Sequence, residues 1–285
     1  MFSPVATNNP EAVAQAVGAE YLTVFPTGDR RFVLQAFAWA RECFAGNYAD
    51  YQPIDARYHD FEHTLQGTLC LARLLRGHHQ AGGQPLLSER ICQLGLVAIL
   101  LHDTGYLKKR EDTAGTGAKY TLTHVKRSTE FAAQLLAGAG YATGDILAVQ
   151  NMIRCTGVDA TLSRIPFQDE QERTVGLALG TADLLGQMAA EDYIEKLPVL
   201  YSEFEEAARH THDRTNLLGM FTSAADLMRK TPAFWENYVM LKMNRDFAGL
   251  YRFLNHPYPD GPNWYCQQIE ANIRRLRGLL ASAKA

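Results

Sequence analysis

The sequence lacks any long uninterrupted hydrophobic run. Among its 285 residues, of which 47% are apolar, the longest run is Leu96 to Leu101. A membrane-spanning helix needs about 20 such residues, so we expect no membrane partner. The N-terminus also lacks a basic stretch followed by an apolar core, which is the pattern of a secretory signal. We therefore expect a cytoplasmic protein.

An excess of positive charge is also missing. Lysine and arginine number 28 against 31 acidic residues, and the net charge is -3. Proteins that hold a nucleic-acid polymer draw much of their affinity from a basic surface, so we expect no such partner. The charged fraction of 21% is too low and too balanced to indicate a disordered chain.

Paired cysteines are absent as well. The five cysteines are scattered along the chain and never form a Cys-x-x-Cys pair. An odd and dispersed set is not typical of a disulfide framework or of a cysteine zinc site. We interpret these residues as reduced, buried small side chains.

Segments with period-two alternation of apolar residues are hard to find, whereas spacings of three and four recur throughout. This periodicity predicts an all-α protein. The predicted helices cover residues 31–44, 60–77, 88–101, 122–137, 143–155, 170–190 and 192–210. Residues 108–120, rich in charge and glycine, predict an exposed loop. A broken helical pattern continues from about residue 214.

The chain contains no repeat, no low-complexity segment and no obvious linker. We expect one compact helical bundle with a helical C-terminal extension. Residues 1–30 form an N-terminal arm, residues 31–212 a catalytic helical core, and residues 213–285 an extension packed on that core. The arm contains Pro10 and Pro26, which predict a loose chain with one short helix at most.

The nine histidines are unevenly distributed. His59 and His63 lie four residues apart at a predicted helix start, so both lie on one face. The next predicted helix is very apolar and ends in His102-Asp103. Burying an adjacent imidazole and carboxylate is costly unless they bind something charged. A divalent cation is the natural partner of this pair.

A further carboxylate, Asp183, lies inside an apolar helical segment. With His63, His102 and Asp103 it makes a set of two nitrogen and two oxygen donors. This set suits Mn, Mg, Fe or Zn and leaves coordination positions for water and substrate. Such a cation polarises a phosphoryl oxygen and supplies hydroxide near neutral pH. We expect one divalent metal site, and a second site is left open.

Two elements, Tyr58-His59-x-x-x-His63 and His102-Asp103, resemble the HD superfamily of metal-dependent phosphohydrolases. The first is also similar to the signature that opens the catalytic domain of the cyclic-nucleotide phosphodiesterases. The resemblance covers roughly residues 55–190. It implies an all-helical fold in which the four donors hold the first metal and Asp103 is a catalytic residue. It further implies that His59 donates a proton to the leaving oxygen, a role that suits an imidazole.

The sequence departs from this pattern in two ways. The two-metal branch of the superfamily has two further histidines after the doublet; here only His124 is suitably placed, and the other falls in Asn151–Cys155. His124 is therefore a candidate for a second metal ligand, a bond to bridging water or a phosphate contact. Lys126 and Arg127 are candidate phosphate contacts. The alarmone hydrolases carry an acidic pair where this chain has Thr104-Gly105, so guanosine tetraphosphate is not expected.

Together with the donor set, this resemblance implies a hydrolase that cleaves a phosphate ester of a nucleotide, with a cyclic phosphodiester slightly favoured over a monophosphate. The expected partner is thus a small molecule, and the oligomeric state is left open. Two alternatives remain. The first is a di-iron oxygenase on the same scaffold, which would need the two extra histidines. The second is a regulator that binds a nucleotide or metal without turnover.

Overall fold

Helices account for the regular structure of the chain. The computed structural model describes residues 2, 4–157, 160–211 and 220–282. Within these ranges the only extended pairings are the isolated bridges Tyr51–Lys109 and Asn255–Asn263. The prediction of an all-α protein is confirmed. None of the described helices is both long and apolar enough to cross a membrane.

The helices predicted in the first two thirds of the chain are present, and the ends of α2 to α8 differ from the predicted ones by three residues at most. The α-helices are α1 Pro10–Val24, α2 Phe32–Phe44, α3 Phe61–Gln80, α4 Glu89–Leu101, α5 His124–Gly138, α6 Thr143–Ile153, α7 Glu170–Met188, α8 Tyr193–Thr211, α9 Ala224–Phe234, α10 Met240–Arg245 and α11 Trp264–Ser282. A π-helical turn, Trp235–Val239, joins α9 to α10.

Short polar side chains fix where the three central helices begin. Asp60 accepts a hydrogen bond from the backbone N–H of His63 at 2.9 Å and starts α3. Ser88 does the same at the start of α4, and Asp169 at the start of α7. Each satisfies a backbone donor that the first helical turn leaves free. These caps set the register of the helices that carry the four predicted donors.

α3 and α7 pack against each other at the centre of the bundle. Every residue of α3 from His63 to Leu75 is buried. A Cβ atom on Gly186 of α7 would lie 2.8 Å from the backbone of Gln66. The absence of a side chain therefore lets the two backbones approach closely. This contact lies one turn beyond His63 and Asp183 and holds those two residues near each other.

The first 30 residues differ from the loose arm that we expected. α1 contains 15 residues and packs on α3, and its buried side chains include Val13, Val17 and Tyr21. Asn9 caps its start by accepting from the N–H of Ala12 at 3.1 Å. The apolar spacing of four residues was the signal for this helix, and the prolines at either end of the arm obscured it.

Residues 108–120 are pinned to the bundle, and the prediction of an exposed loop is right only for the tip of the segment. Lys108 is 5% exposed, and its Nζ lies 2.8 Å from Oδ2 of Asp55. Lys119 is equally buried and pairs with Asp112. A charged side chain can be buried when a carboxylate pairs with it, and the sequence alone did not reveal these partners.

The predicted boundary between core and extension, at residues 212 and 213, lies outside the described residues. The extension's final helix, α11, packs on α7. The side-chain amide of Asn272 donates to the carbonyls of Met188 and Ala190 at 3.0 and 2.8 Å. Arg275 binds Glu195 of α8 through two hydrogen bonds of 2.9 and 3.0 Å. These bonds close the bundle beside the C-terminal end of α7.

Candidate metal centre

Four donor atoms meet at one end of the α3–α7 pair. Nε2 of His63 lies 3.2 Å from Oδ2 of Asp103 and 3.2 Å from Oδ1 of Asp183. Nε2 of His102 lies 3.3 and 3.4 Å from the same two oxygens. All four residues are buried, and the most exposed, Asp183, has 7% of its surface accessible. The structure brings together the four residues that the sequence singled out.

The donor set fits a metal ion. His63, His102 and Asp103 form a buried group whose ligand atoms lie within 4.8 Å of one another. Nδ1 of His102 donates to the carbonyl of Ile99 at 2.7 Å, which turns the lone pair of Nε2 towards the centre. This Nε2 and Oδ2 of Asp103 are buried and have no hydrogen-bond partner among the described residues. Buried acceptors that face one another are costly unless a positive charge lies between them.

Within this group the His63 imidazole holds its proton strongly, whereas the Asp103 carboxyl gives its proton up readily. Burial lowers the pKa of His63, but the two neighbouring carboxylates, Asp103 and Asp183, outweigh burial and raise that pKa to about 10. Burial acts to raise the pKa of Asp103, but the charges of His102 and His63 hold it well below its usual range. A cation bound here would have to displace a proton from His63, so its affinity would fall as the pH falls.

Gln187 and Tyr58 support the turn of α7 that carries Asp183. Nε2 of Gln187 donates to the main-chain carbonyl of Asp183 at 3.1 Å. The hydroxyl of Tyr58, which is 3% exposed, donates to Oε1 of Gln187 at 2.8 Å. The tyrosine that precedes His59 is thus linked through Gln187 to the helix turn that holds one of the four donors.

His59 is held by Glu203 of α8, a residue that the sequence analysis did not single out. Nδ1 of His59 lies 2.6 Å from Oε2 of Glu203. Oε1 accepts the N–H groups of Arg57 and Tyr58, both at 2.7 Å. Burial acts to raise the pKa of Glu203, but His59 and these two amides keep it below its usual range. The carboxylate therefore fixes Nδ1 of His59 as a protonated nitrogen.

His124, at the start of α5, faces the other oxygen of Asp103. Its Nε2 lies 3.9 Å from Oδ1 of Asp103, and its Nδ1 donates to the carbonyl of Thr121 at 2.6 Å. Burial lowers the pKa of His124, which favours the neutral imidazole. Gly105 makes this approach feasible, because a Cβ atom there would lie 2.0 Å from the carbonyl oxygen of His124.

The two candidate phosphate contacts lie apart from the four donors. The Lys126 side chain is 80% exposed, and its Nζ lies 3.9 Å from Glu130 one turn along α5. Arg127 donates from Nε to the carbonyl of Gly105 at 2.7 Å and from Nη2 to that of Leu107 at 2.8 Å. Lys126 thus lies on a solvated face, and Arg127 supports the chain that follows the His-Asp doublet.

Asn151 occupies the segment where a second additional histidine was sought, and it serves another purpose. Its Nδ2 donates to Oε1 of Glu172 at 2.8 Å and to the carbonyl of Pro166 at 3.0 Å. It belongs to a polar network at the start of α7. Of the residues considered for a second cation, His124 and Asp103 are the two that the structure brings together.

Comparison with known proteins gives one family. A family model described as Npun_R2479-like matches residues 30–252. The matched range includes the three helices that carry the four donors, as well as His59 and Glu203. No curated protein matches the chain. Because the match covers most of its length, this chain belongs to the Npun_R2479-like family.

Proposed function

We propose that this protein is a metal-dependent phosphohydrolase that acts on a phosphate ester of a nucleotide. The observation that carries the proposal is the convergence of two imidazoles and two carboxylates beside a histidine that is already held by a carboxylate. The His59 and His63 rings lie 5.4 Å apart, centroid to centroid. A proton donor next to a cation site is the combination that phosphate ester hydrolysis needs. The resemblance to the HD superfamily supports the same reading.

The proposed roles follow from the chemistry of each side chain. A cation held by His63, His102, Asp103 and Asp183 would polarise a phosphoryl oxygen and lower the pKa of a water ligand. As the proton donor, His59 would act through Nε2, the nitrogen that Glu203 does not engage, and would do so as the imidazolium, in which both ring nitrogens carry protons. The Glu203 carboxylate orients this imidazole through a charge-assisted hydrogen bond to Nδ1.

The ester that we favour is a cyclic phosphodiester, with a nucleoside monophosphate second. An alkoxide leaves in both cases, and an imidazole is a suitable acid for it near neutral pH. The preference for the diester rests on the Tyr58-His59 element. The metal that we propose is Mn, Mg, Fe or Zn, since imidazole with carboxylate suits these ions.

A di-iron oxygenase is the second candidate, and one observation favours it. Nε2 of His124 and Oδ1 of Asp103 face each other across 3.9 Å, and two donors in this arrangement suit a second cation. The described residues offer that ion only one imidazole in addition to the shared Asp103. Iron content together with oxygen uptake would identify this chemistry, and turnover of an ester without oxygen uptake would exclude it.

The test combines metal analysis with a substrate screen. We expect purified protein to bind one or two divalent cations and to cleave a cyclic mononucleotide, a nucleoside monophosphate or bis(p-nitrophenyl) phosphate after addition of Mn, Mg, Fe or Zn. Asp103→Ala should abolish both metal retention and turnover. The control is Asp50→Ala, because Asp50 is an exposed carboxylate. Full activity of Asp103→Ala would refute the proposal.

The proton donor is tested separately. His59→Ala should keep its metal and lose about two to four orders of magnitude in kcat, the usual range for an acid–base group. His79→Ala, at an exposed position on α3, should match the wild type. Metal binding without turnover of any ester would instead indicate a regulator that binds a ligand without chemistry.

A further inference from the structure

The ring of Tyr106 lies against both imidazoles that flank the four donors. Its centroid is 4.5 Å from that of His59, with planes inclined by 13°, and 4.7 Å from that of His124, with planes inclined by 21°. Tyr106 is fully buried. Both contacts are near-parallel stacking contacts, an arrangement that aromatic rings favour when they are offset.

The three distances show that both imidazoles lie over the same face of Tyr106. The centroids of His59 and His124 are only 6.1 Å apart. Two rings stacked on opposite faces would be separated by two stacking distances, about 7 Å in all. Tyr106 therefore forms a floor on which the two imidazoles lie side by side. Their mutual inclination of 32° is close to the sum of the two separate tilts.

Each imidazole also makes a hydrogen bond in its ring plane, and that bond alone leaves one motion free. Nδ1 of His59 is bound by Glu203, and Nδ1 of His124 by the carbonyl of Thr121. One hydrogen bond in the ring plane fixes a direction, but it allows the ring to rotate about that direction. A flat surface against the face of the ring removes this rotation. The two constraints together define where Nε2 lies.

The floor is attached to the metal doublet itself. Tyr106 ends the 3-10 turn Thr104–Tyr106, which begins directly after Asp103, and its N–H donates to the Asp103 carbonyl at 3.1 Å. Arg127 binds the carbonyls on either side of Tyr106. This short segment, held by Arg127, therefore fixes the position of both imidazoles relative to Asp103.

We infer that Tyr106 is a positioning residue that sets the orientation of His59 and His124 relative to the metal donors. The inference rests on the proposed function, because it assigns Tyr106 to the same reaction. The ring carries the role rather than the hydroxyl, because it is the face of the ring that contacts the two imidazoles. The two substitutions that separate ring from hydroxyl are Tyr106→Phe and Tyr106→Leu.

The kinetic experiment uses the full chain loaded with Mn and the best ester from the screen. Tyr106→Leu should lower kcat about tenfold to hundredfold, since small misplacements of reacting groups have effects of this size. Its KM should change much less, and its metal content should equal that of the wild type. Tyr106→Phe should restore kcat to within about twofold. A Tyr106→Phe variant as impaired as Tyr106→Leu, or a fully active Tyr106→Leu, would overturn the inference.

Phe131→Leu is the matched control for the loss of a buried aromatic ring. Phe131 is 3% exposed and contacts two tyrosine rings, Tyr48 at 5.3 Å and Tyr51 at 4.9 Å. Its replacement should lower the Tm but leave kcat unchanged. If Phe131→Leu lowers kcat as much as Tyr106→Leu does, the effect is one of general packing and the inference fails.

A spectroscopic readout separates this inference from the proposed function. The imidazole proton resonances of His59 and His124, assigned with His59→Gln and His124→Gln, should carry ring-current shifts in the wild type and in Tyr106→Phe. Both sets should move in Tyr106→Leu, whereas those of exposed His79 should not. If no ester is turned over but these shifts behave as stated, the positioning of the imidazoles by Tyr106 is supported and the proposed function is refuted. Unchanged shifts in Tyr106→Leu would show that the Tyr106 ring does not support the two imidazoles, and would refute the inference.

Discussion

Helix α7 carries two buried carboxylates in opposite surroundings. Glu172 is 1% exposed and Asp183 is 7% exposed, and they lie three turns apart, about 17 Å along the helix. Oε1 of Glu172 accepts from Asn151, and Oε2 accepts from the main chain and side chain of Gln168 at 3.1 and 3.0 Å. Asp183 instead faces the Nε2 atoms of two histidines.

The comparison separates a completed polar network from a ligand set. Donors surround Glu172, so its burial is already balanced by hydrogen bonds. The histidines and carboxylates around Asp183 turn only lone-pair atoms towards one another once the imidazoles are neutral. Two of these atoms make no hydrogen bond with any described residue. Burial of a carboxylate in an apolar helix therefore does not by itself indicate a metal site; the chemistry of its neighbours does.

The largest expected effect is that substitution of Asp183 lowers metal affinity, whereas substitution of Glu172 lowers stability. Asp183→Asn should reduce affinity for Mn or Zn by more than about a hundredfold, because it removes a direct ligand and even outer partners of such ligands are worth about 10- to 100-fold. Glu172→Gln should retain the metal and lose about 1–3 kcal/mol of unfolding free energy, because an amide group then faces other donors. Metal analysis after dialysis and urea unfolding measure the two quantities. Equal metal loss in both variants would remove the distinction.

The next effect concerns Glu203 and compares two glutamates one turn apart on α8. Glu203→Gln should lower kcat about tenfold to hundredfold at unchanged metal content, because it removes the charge that holds His59. Glu206→Gln is the matched control, since Glu206 binds Thr116 in the 108–120 segment rather than a histidine. Steady-state kinetics of the two variants provides the measurement. A larger loss in Glu206→Gln would transfer the functional role to the loop.

A smaller effect separates Arg127 from Lys126. Arg127→Ala should lower the free energy of unfolding by about 1–3 kcal/mol, because the carbonyls of Gly105 and Leu107 lose a charged donor. Lys126→Ala should change it by less than about 0.5 kcal/mol, since an exposed ion pair contributes little. Urea unfolding of both variants tests this. A dominant effect of Arg127→Ala on KM with unchanged stability would restore Arg127 as a phosphate contact.

The smallest effect is a pH dependence at His78, a buried polar residue near the far end of α3. His78 is 2% exposed, and its ring centroid lies 4.7 Å from that of Phe253. Its Nε2 has no hydrogen-bond partner among the described residues. Burial lowers the pKa of His78 despite a backbone hydrogen bond that raises it. The folded protein therefore prefers the neutral ring, so this contribution to stability is complete above about pH 6.5 and is lost as the pH falls below it.

His78→Gln should accordingly flatten the fall in unfolding free energy between pH 7.5 and pH 5, measured by urea titration. His79→Gln, next to it but exposed, should keep the wild-type slope. His78 lies 15 residues beyond His63 along α3, so His78→Gln should also leave the metal content unchanged. An unaltered slope in His78→Gln would show that burial at this position does not perturb the imidazole.

The features that could be predicted are those set by interactions between residues close together in the chain. Helices α2 to α8 follow from apolar spacing and from caps such as Asp60 and Asp169, which act within a few residues of the chain. Three of the four donors were recognisable because each is energetically out of place, and His63 because it lies one helical turn from His59. His102-Asp103 ends a very apolar helix, and Asp183 lies within another.

Partners that are distant in the chain were not predictable. Glu203 is one of several acidic residues on α8, and its bond to His59 joins residues 144 positions apart. Lys108, Lys119 and Arg127 resemble solvated charges in the sequence, yet each binds an acceptor that the fold supplies. Periodicity and local spacing carry no information about such pairs, because their energy depends on which elements lie side by side.

At Gly186 the backbones of α3 and α7 touch, one turn beyond His63 and Asp183. Rigid backbones in contact limit how far apart the ligands that they carry can lie. Bonds from Zn to nitrogen or from Mg to oxygen are about 2.0–2.1 Å long, whereas those from Ca to oxygen are about 2.3–2.6 Å. A metal ion held by these residues would therefore be selected by its radius, in favour of small ions. Gly186→Ala would push the two helices apart and shift that selectivity towards larger ions.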